Sequence, residues 1–139
     1  MAAREDVNDR PRVLVVDDDL STRTLLQRML DHLGYAASVA RDGAEAVHSA
    51  TSGEYDIILM DGRMPGLDGY EATRRIRAAE NGSHVAVIAM TGATSPADHQ
   101  RARDAGMDSL LPKPMTMDEL RTVLQTALDN SHAKPRRLS

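Results

Sequence analysis

Five short apolar runs are spaced along this chain, and between them apolar residues recur at helical intervals. The first run, residues 12–17 (RVLVVD), is rich in β-branched side chains and uninterrupted, so it reads as a strand buried on both faces. Leu25, Leu26, Met29, Leu30 and Leu33 then recur every three or four residues, predicting a helix that Gly34 stops. Residues 36–40 form a weaker second strand, and GAEAVHSATSG predicts a short helix between Gly43 and Gly53. Residues 55–61 (YDIILMD) give the clearest strand. A third helix is expected from about Gly69 to near Gly82, then a fourth strand over 85–91. Ser95 as N-cap, Pro96 at the first helical position and Gly106 as stop delimit a fourth helix. Residues 108–112 are the fifth strand. Thr116 with Glu119 is a capping box opening a last helix, whose apolar face is Leu120, Val123, Leu124, Ala127 and Leu128.

Strand and helix alternate five times. Parallel strands need right-handed crossovers, so the pattern predicts an α/β fold: a doubly wound five-stranded parallel sheet with helices on both faces. Open sheets of this kind form their sites where strand C-terminal ends meet at a switch in strand order. The chemistry should lie where the chain leaves each strand.

Composition narrows the setting. A chain of 139 residues suits one domain with a real core. The expected boundaries are 12–129 for the domain, with a disordered segment over 1–11 and a basic flexible tail over 130–139. There are no cysteines, hence no disulfide framework and no thiolate metal site. No apolar run is long enough to span a membrane and the N-terminus lacks a signal core, so a cytoplasmic protein without membrane contact is expected. The formal charge is -4; without the last ten residues it is -7, with 14 basic against 21 acidic residues. Such an acidic body argues against broad nucleic-acid binding, and direct DNA binding is not expected.

The strand ends carry a coherent set of groups. The first strand delivers Asp17, Asp18 and Asp19; the third, Asp61 followed by GRMPGLDG; the fourth, Thr91 and Gly92; the fifth, Lys113 between Pro112 and Pro114. Two carboxylates about 4 Å apart repel by roughly 4 kcal/mol at an effective dielectric of 20, so a cluster needs protons, a lysine or a metal. Oxygen ligands without His or Cys suit Mg²⁺. Carboxylates, Mg²⁺, a lysine and a hydroxyl together can hold a phosphoryl group. Each piece also has a plain structural use: acidic pairs cap helices, MPG is a turn, and threonine commonly ends a strand. Their order and strand placement make the set specific. Lys113 stands out further, because it and Lys134 are the only lysines among 17 basic residues.

In these motifs the sequence resembles the receiver domains of two-component response regulators, over about residues 12–129. The matching features are Asp17-Asp18, Asp61 in DGRMPGLDG, Thr91-Gly92 and Lys113-Pro114, each at a strand end. The resemblance implies a flavodoxin-like (βα)5 fold in which Asp61 accepts a phosphoryl group from a phosphohistidine. The donor would be a sensor histidine kinase or a histidine phosphotransfer protein. Asp18 and Asp61 would bind Mg²⁺ directly with the backbone carbonyl of Arg63, and Asp17 would act through water. Thr91 and Lys113 would contact phosphoryl oxygens, and the Lys113–Pro114 peptide would be cis. MPGLDGYEATRRIR and AGMDSLLPKP look most like receivers of hybrid kinases and phosphorelays.

Leu110 departs from the family pattern, which has an aromatic residue three before the lysine that changes rotamer on activation. Arg63 and Ala93 occupy the positions that tune phosphoryl lifetime. Two rival readings stand beside this one. VVDDDLS also resembles the haloacid-dehalogenase phosphatases, with Asp17 as nucleophile, Asp19 as acid/base and Ser21 near a threonine position; that reading leaves the Asp61 stretch unexplained. The other rival is a degenerate receiver serving only as a binding module.

Overall fold

The computed structural model describes residues 9–53, 55–80, 84–92 and 95–130. Parts of the expected flanks (1–8 and 131–139) and Ala93 lie outside the described residues. Ten elements alternate along the chain: β1 (Arg12–Val16), α1 (Leu20–Leu33), β2 (Ala36–Ala40), α2 (Gly43–Ser52), β3 (Ile57–Asp61), α3 (Gly69–Ala78), β4 (Ala86–Thr91), α4 (Pro96–Ala105), β5 (Ser109–Pro112) and α5 (Met117–Asn130). All strand pairs are parallel, in the order β2-β1-β3-β4-β5. The order reverses between β1 and β3, where a sheet of this kind opens a crevice.

Side chains alternate across each strand and divide the core in two. Val13 and Val15, Ile57 and Leu59, and Ile88 and Met90 pack with Leu26 and Leu30 of α1 and Leu120 and Leu124 of α5. Leu14 and Val16, Ile58 and Met60, and Val87 and Ala89 pack with Ala46 of α2, Tyr70, Ala72 and Ile76 of α3, and Ala102 and Ala105 of α4. β1, β3 and β4 are therefore apolar on both faces, as uninterrupted runs require.

Expected element ends hold closely at α1, α2, α4, α5 and β2, while β1, β3, β4 and β5 are one or two residues shorter and α3 ends earlier. β1 stops at Val16 because the Asp17 carboxylate accepts from the Asp19 amide (2.9 Å), turning the chain out of the ladder. α3 ends at Ala78, short of Gly82; the Ala79 amide donates to Arg75 and Ile76 carbonyls and closes the last turn. The expected face of α1 needs one correction. Leu25 is 58% exposed. Adjacent leucines lie about 100° apart around a helix, so Leu26 and Leu30 reach the sheet and Leu25 turns to solvent.

Both predicted caps form. Ser95 and Asp98 exchange backbone-to-side-chain hydrogen bonds at the start of α4 (3.1 and 3.2 Å). Thr116 and Glu119 do the same at α5 (2.8 and 3.0 Å). Ser95 holds the Asp98 carboxyl below the usual range.

Candidate functional site

The C-terminal ends of β1, β3, β4 and β5 bring the expected residues onto one edge. Asp17, one residue past β1, is 1% exposed, and Asp61, the last residue of β3, is 6% exposed; Asp18 is exposed. Asp17 and Asp18 converge because the strand has already ended at Val16, which frees them from strict alternation. Ligand atoms of Asp17, Asp18 and Asp61 all lie within 4.8 Å of one another. Lys113 bridges the cluster, with its Nζ 2.9 Å from Asp17 Oδ2 and 3.5 Å from Asp61 Oδ1. The Lys113 amide donates to the Thr91 carbonyl (2.9 Å), so the last rung between β4 and β5 sets these two residues side by side. Thr91 is buried. The Lys113–Pro114 peptide is cis.

The charges are balanced only in part. Burial, then the Asp17 charge, push the Asp61 carboxyl above the usual carboxylate range, while Lys113 and the Arg63 amide (3.2 Å from Asp61 Oδ1) oppose the shift. Burial alone would lower Lys113, but the Asp17 hydrogen bond and the charges of Asp61 and Asp17 outweigh it and hold the lysine above its ordinary value. Three carboxylates thus share one ammonium, an excess of negative charge that suits a divalent cation. The donor set is all oxygen, which fits Mg²⁺.

Asp19 stands apart from the cluster. It caps α1, accepting from the Thr22 amide (2.9 Å) and the Thr22 hydroxyl (2.8 Å), and those bonds hold its carboxyl below the usual range. Its carboxylate is thus taken up by the α1 cap, a structural use that leaves Asp17, Asp18 and Asp61 as the acidic cluster.

The loop from Gly62 to Asp68 is shaped by contacts that the motif alone did not disclose. Gly69 sits so close to β3 that a Cβ there would lie 2.1 Å from the Asp61 carbonyl oxygen. Only glycine fits. The Gly69 amide donates to the Gly62 carbonyl (3.2 Å), and the buried Thr73 hydroxyl donates to the Gly69 carbonyl (2.8 Å). Sequence reasoning also missed Arg77. Its guanidinium donates to the Gly106 and Val85 carbonyls (2.9 and 2.6 Å) and pairs with Glu80 and Asp108 (2.7 and 2.9 Å). This ties α3 to the strands near the opposite end of the sheet. Its neighbours in sequence, Arg74 and Arg75, carry the same charge but are exposed, so no local signal separates it from them.

The response regulator receiver domain profile matches residues 13–125. The chain belongs to this family. Among curated relatives it is 40% identical over 119 residues to the sensor histidine kinase RcsC of Salmonella typhi, covering 86% of this chain and 12% of that protein. It therefore spans only a small part of the relatives it matches first. Among solved structures, the receiver domain of sensor histidine kinase PA1611 from Pseudomonas aeruginosa PAO1 is 42% identical, with a TM-score of 0.80 over 86% of this chain and 98% of that one; it carries a magnesium ion in its active site cleft. Chemotaxis protein CheY4 of Vibrio cholerae is 30% identical, with a TM-score of 0.81 over 85% of this chain and 98% of that one. The sheet order is the flavodoxin-like order expected of a receiver. The domain is a signalling module of two-component and phosphorelay systems, and the phosphatase reading is not favoured.

Proposed function

We propose that this receiver takes a phosphoryl group from a phosphohistidine onto Asp61, and that the change is passed to partners through the face formed by residues 91–113. The observation that carries this reading is the buried Asp61 carboxylate, flanked by Asp17 and bridged by Lys113 at the reversal of strand order. An Asp61 oxygen attacks phosphorus, the P–N bond to the imidazole breaks, and its electron pair stays on nitrogen. The product is an acyl phosphate. Lys113 offsets charge on the phosphoryl oxygens, and the Thr91 hydroxyl donates to one of them.

Asp17, Asp18, Asp61 and the Arg63 carbonyl are the groups that would hold Mg²⁺, with Asp17 acting through water. When bound, the ion supplies positive charge against the phosphoryl oxygens. The deficit of positive charge in the cluster supports this, as does the magnesium-bearing cleft of the PA1611 receiver. The role is that of a regulatory phosphoacceptor rather than a turnover enzyme, with 12–129 as the signalling unit. The donor is a sensor histidine kinase or a histidine phosphotransfer protein, in keeping with the relationship to RcsC. A cytoplasmic setting without DNA or membrane contact fits the acidic body. Among the described residues no helix is long and apolar enough to cross a membrane.

Incubation with acetyl phosphate and Mg²⁺ tests the assignment. Intact-mass measurement should show one added phosphoryl group, and Asp61→Ala should remove it. Unchanged labelling of that variant would falsify Asp61 as the acceptor. No labelling of the wild type would favour the degenerate receiver.

A further inference from the structure

Position 110 holds leucine, so the aromatic group that receivers commonly place there is missing. Another aromatic lies against the phosphoacceptor loop. Tyr70, in the first turn of α3, is 3% exposed. Its ring is pressed against Gly62, the residue after Asp61. A Cβ added at Gly62 would fall 2.9 Å from Tyr70 Oη and 3.1 Å from Cε2 and Cζ. Gly62 is a backbone junction in its own right: its amide donates to the Met90 carbonyl of β4 and its carbonyl accepts from Gly69, both at 3.2 Å.

The same ring carries a cation from α4. The Arg101 guanidinium carbon lies 4.2 Å from the ring centroid, and Arg101 Nη2 is 3.4 Å from Asp68 Oδ2. Asp68 caps α3, accepting from the Glu71 amide (2.9 Å). Apart from Ala102 and Ala105, α4 buries no side chain. Two alanines offer little apolar area, so polar contacts do much to tie α4 to α3: Arg101 near its middle and the Arg77–Gly106 hydrogen bond at its C-cap.

We infer that Tyr70 is a positioning residue for Asp61, and that Arg101 makes this positioning depend on where α4 sits. The inference rests on Asp61 being the phosphoacceptor. When α4 moves and takes the guanidinium off the ring, the support that the ring gives to Gly62 loosens, and Asp61 loses its alignment with Lys113. Coupling between two sites is reciprocal, so a shift at Asp61–Gly62 on phosphorylation is felt at Arg101 and hence by α4. The communication that other receivers route through position 110 here runs through residues 62, 70 and 101.

Three measurements on the full chain test this: labelling rate with acetyl phosphate at saturating Mg²⁺, Mg²⁺ affinity, and tyrosine ring NMR signals with and without beryllofluoride. Arg101→Met should slow labelling about three- to tenfold, the range of one lost cation–π contact, and Mg²⁺ affinity should fall with it, because Asp61 and the Arg63 carbonyl flank Gly62. Arg101→Lys should recover most of the rate. Tyr70→Phe, which keeps the ring face, should label nearly as the wild type does. Tyr70→Leu should be as slow as Arg101→Met, and combining the two should add nothing. Beryllofluoride should move the Tyr70 signal and leave those of Tyr35 and Tyr55 in place. Should Tyr70→Leu fail to fold, the exposed Arg101 variants and the ring signal decide the matter. A labelled wild type with Arg101→Met at the same rate and an unmoved Tyr70 signal overturns the inference alone. A wild type that takes no label overturns the reading beneath it.

Discussion

The two helical layers of this receiver are built from different side chains. On one face, α1 and α5 run 14 residues each and insert Leu26, Leu30, Leu120 and Leu124 into the sheet. On the other, α2, α3 and α4 run 10 residues each and meet the sheet largely through alanines: Ala46, Ala72, Ala102 and Ala105, with Tyr70 and Ile76 as the large exceptions. Buried leucine contributes about 1.5–3 kcal/mol and alanine far less, so the first layer is anchored and the second is held in good part by polar contacts. Those contacts are Arg77 with Glu80 and Asp108, and Arg101 with Asp68 and Tyr70. Polar and cation–π contacts are exchanged at lower cost than a packed apolar core. Side-chain size thus separates a layer seated by apolar burial from one held in good part by polar contacts.

The sharpest way to break this contrast is to cut into the anchored layer. Leu124→Ala should cost about 2–5 kcal/mol in urea unfolding, because a fully buried leucine leaves a cavity that the sheet cannot fill. Labelling of the protein that remains folded should proceed at the wild-type rate. If Leu124→Ala costs under ~1 kcal/mol, α5 is no anchor.

Next in size is local opening. Amides of α4 should exchange with solvent at least about tenfold faster than those in the middle of α1 and α5, since shallow burial lowers the free energy of opening. Beryllofluoride with Mg²⁺ should shift amide resonances across 91–110 and leave 117–130 little changed, with no aromatic rotamer involved at position 110. Shifts confined to the acidic cluster would undo the distinction between layers.

The smallest effects compare four carboxylates at the strand ends. Asp19→Ala removes the α1 cap and should destabilise by about 1 kcal/mol, with Mg²⁺ affinity nearly kept. Asp18→Ala should weaken Mg²⁺ binding most and Asp17→Ala less. Asp61→Asn should act in the opposite direction on stability. Because its carboxyl is held above the usual range by burial and by Asp17, the ionised form is penalised in the folded chain at neutral pH. Without divalent cation, the amide should therefore raise Tm at neutral pH. That gain should shrink as pH falls through the folded-state pKa of Asp61, where protonation lifts the same penalty. A lower Tm for Asp61→Asn at neutral pH would show that Lys113 outweighs burial.

By itself the sequence determined the element order, the parallel sheet and the strand ends that carry Asp17, Asp18, Asp61, Thr91 and Lys113. These are local matters: uninterrupted β-branched runs must be buried on both faces, caps and glycines punctuate helices, and strand ends follow from both. Asp19 was legible in the same way, as the residue at which the chain turns into a helix. Tertiary structure decided what depends on elements distant in the chain. Leu25 and Leu26 look alike in sequence, and only the seat of α1 on the sheet exposes one and buries the other. The Asp17–Lys113 pair spans 96 residues and the Arg77–Asp108 pair 31. Arg101 reaches Tyr70 only because α3 and α4 lie side by side. A hydrophobic period reports which face of an element is buried; which charged group meets which is set by the placement of whole elements, after the core has packed.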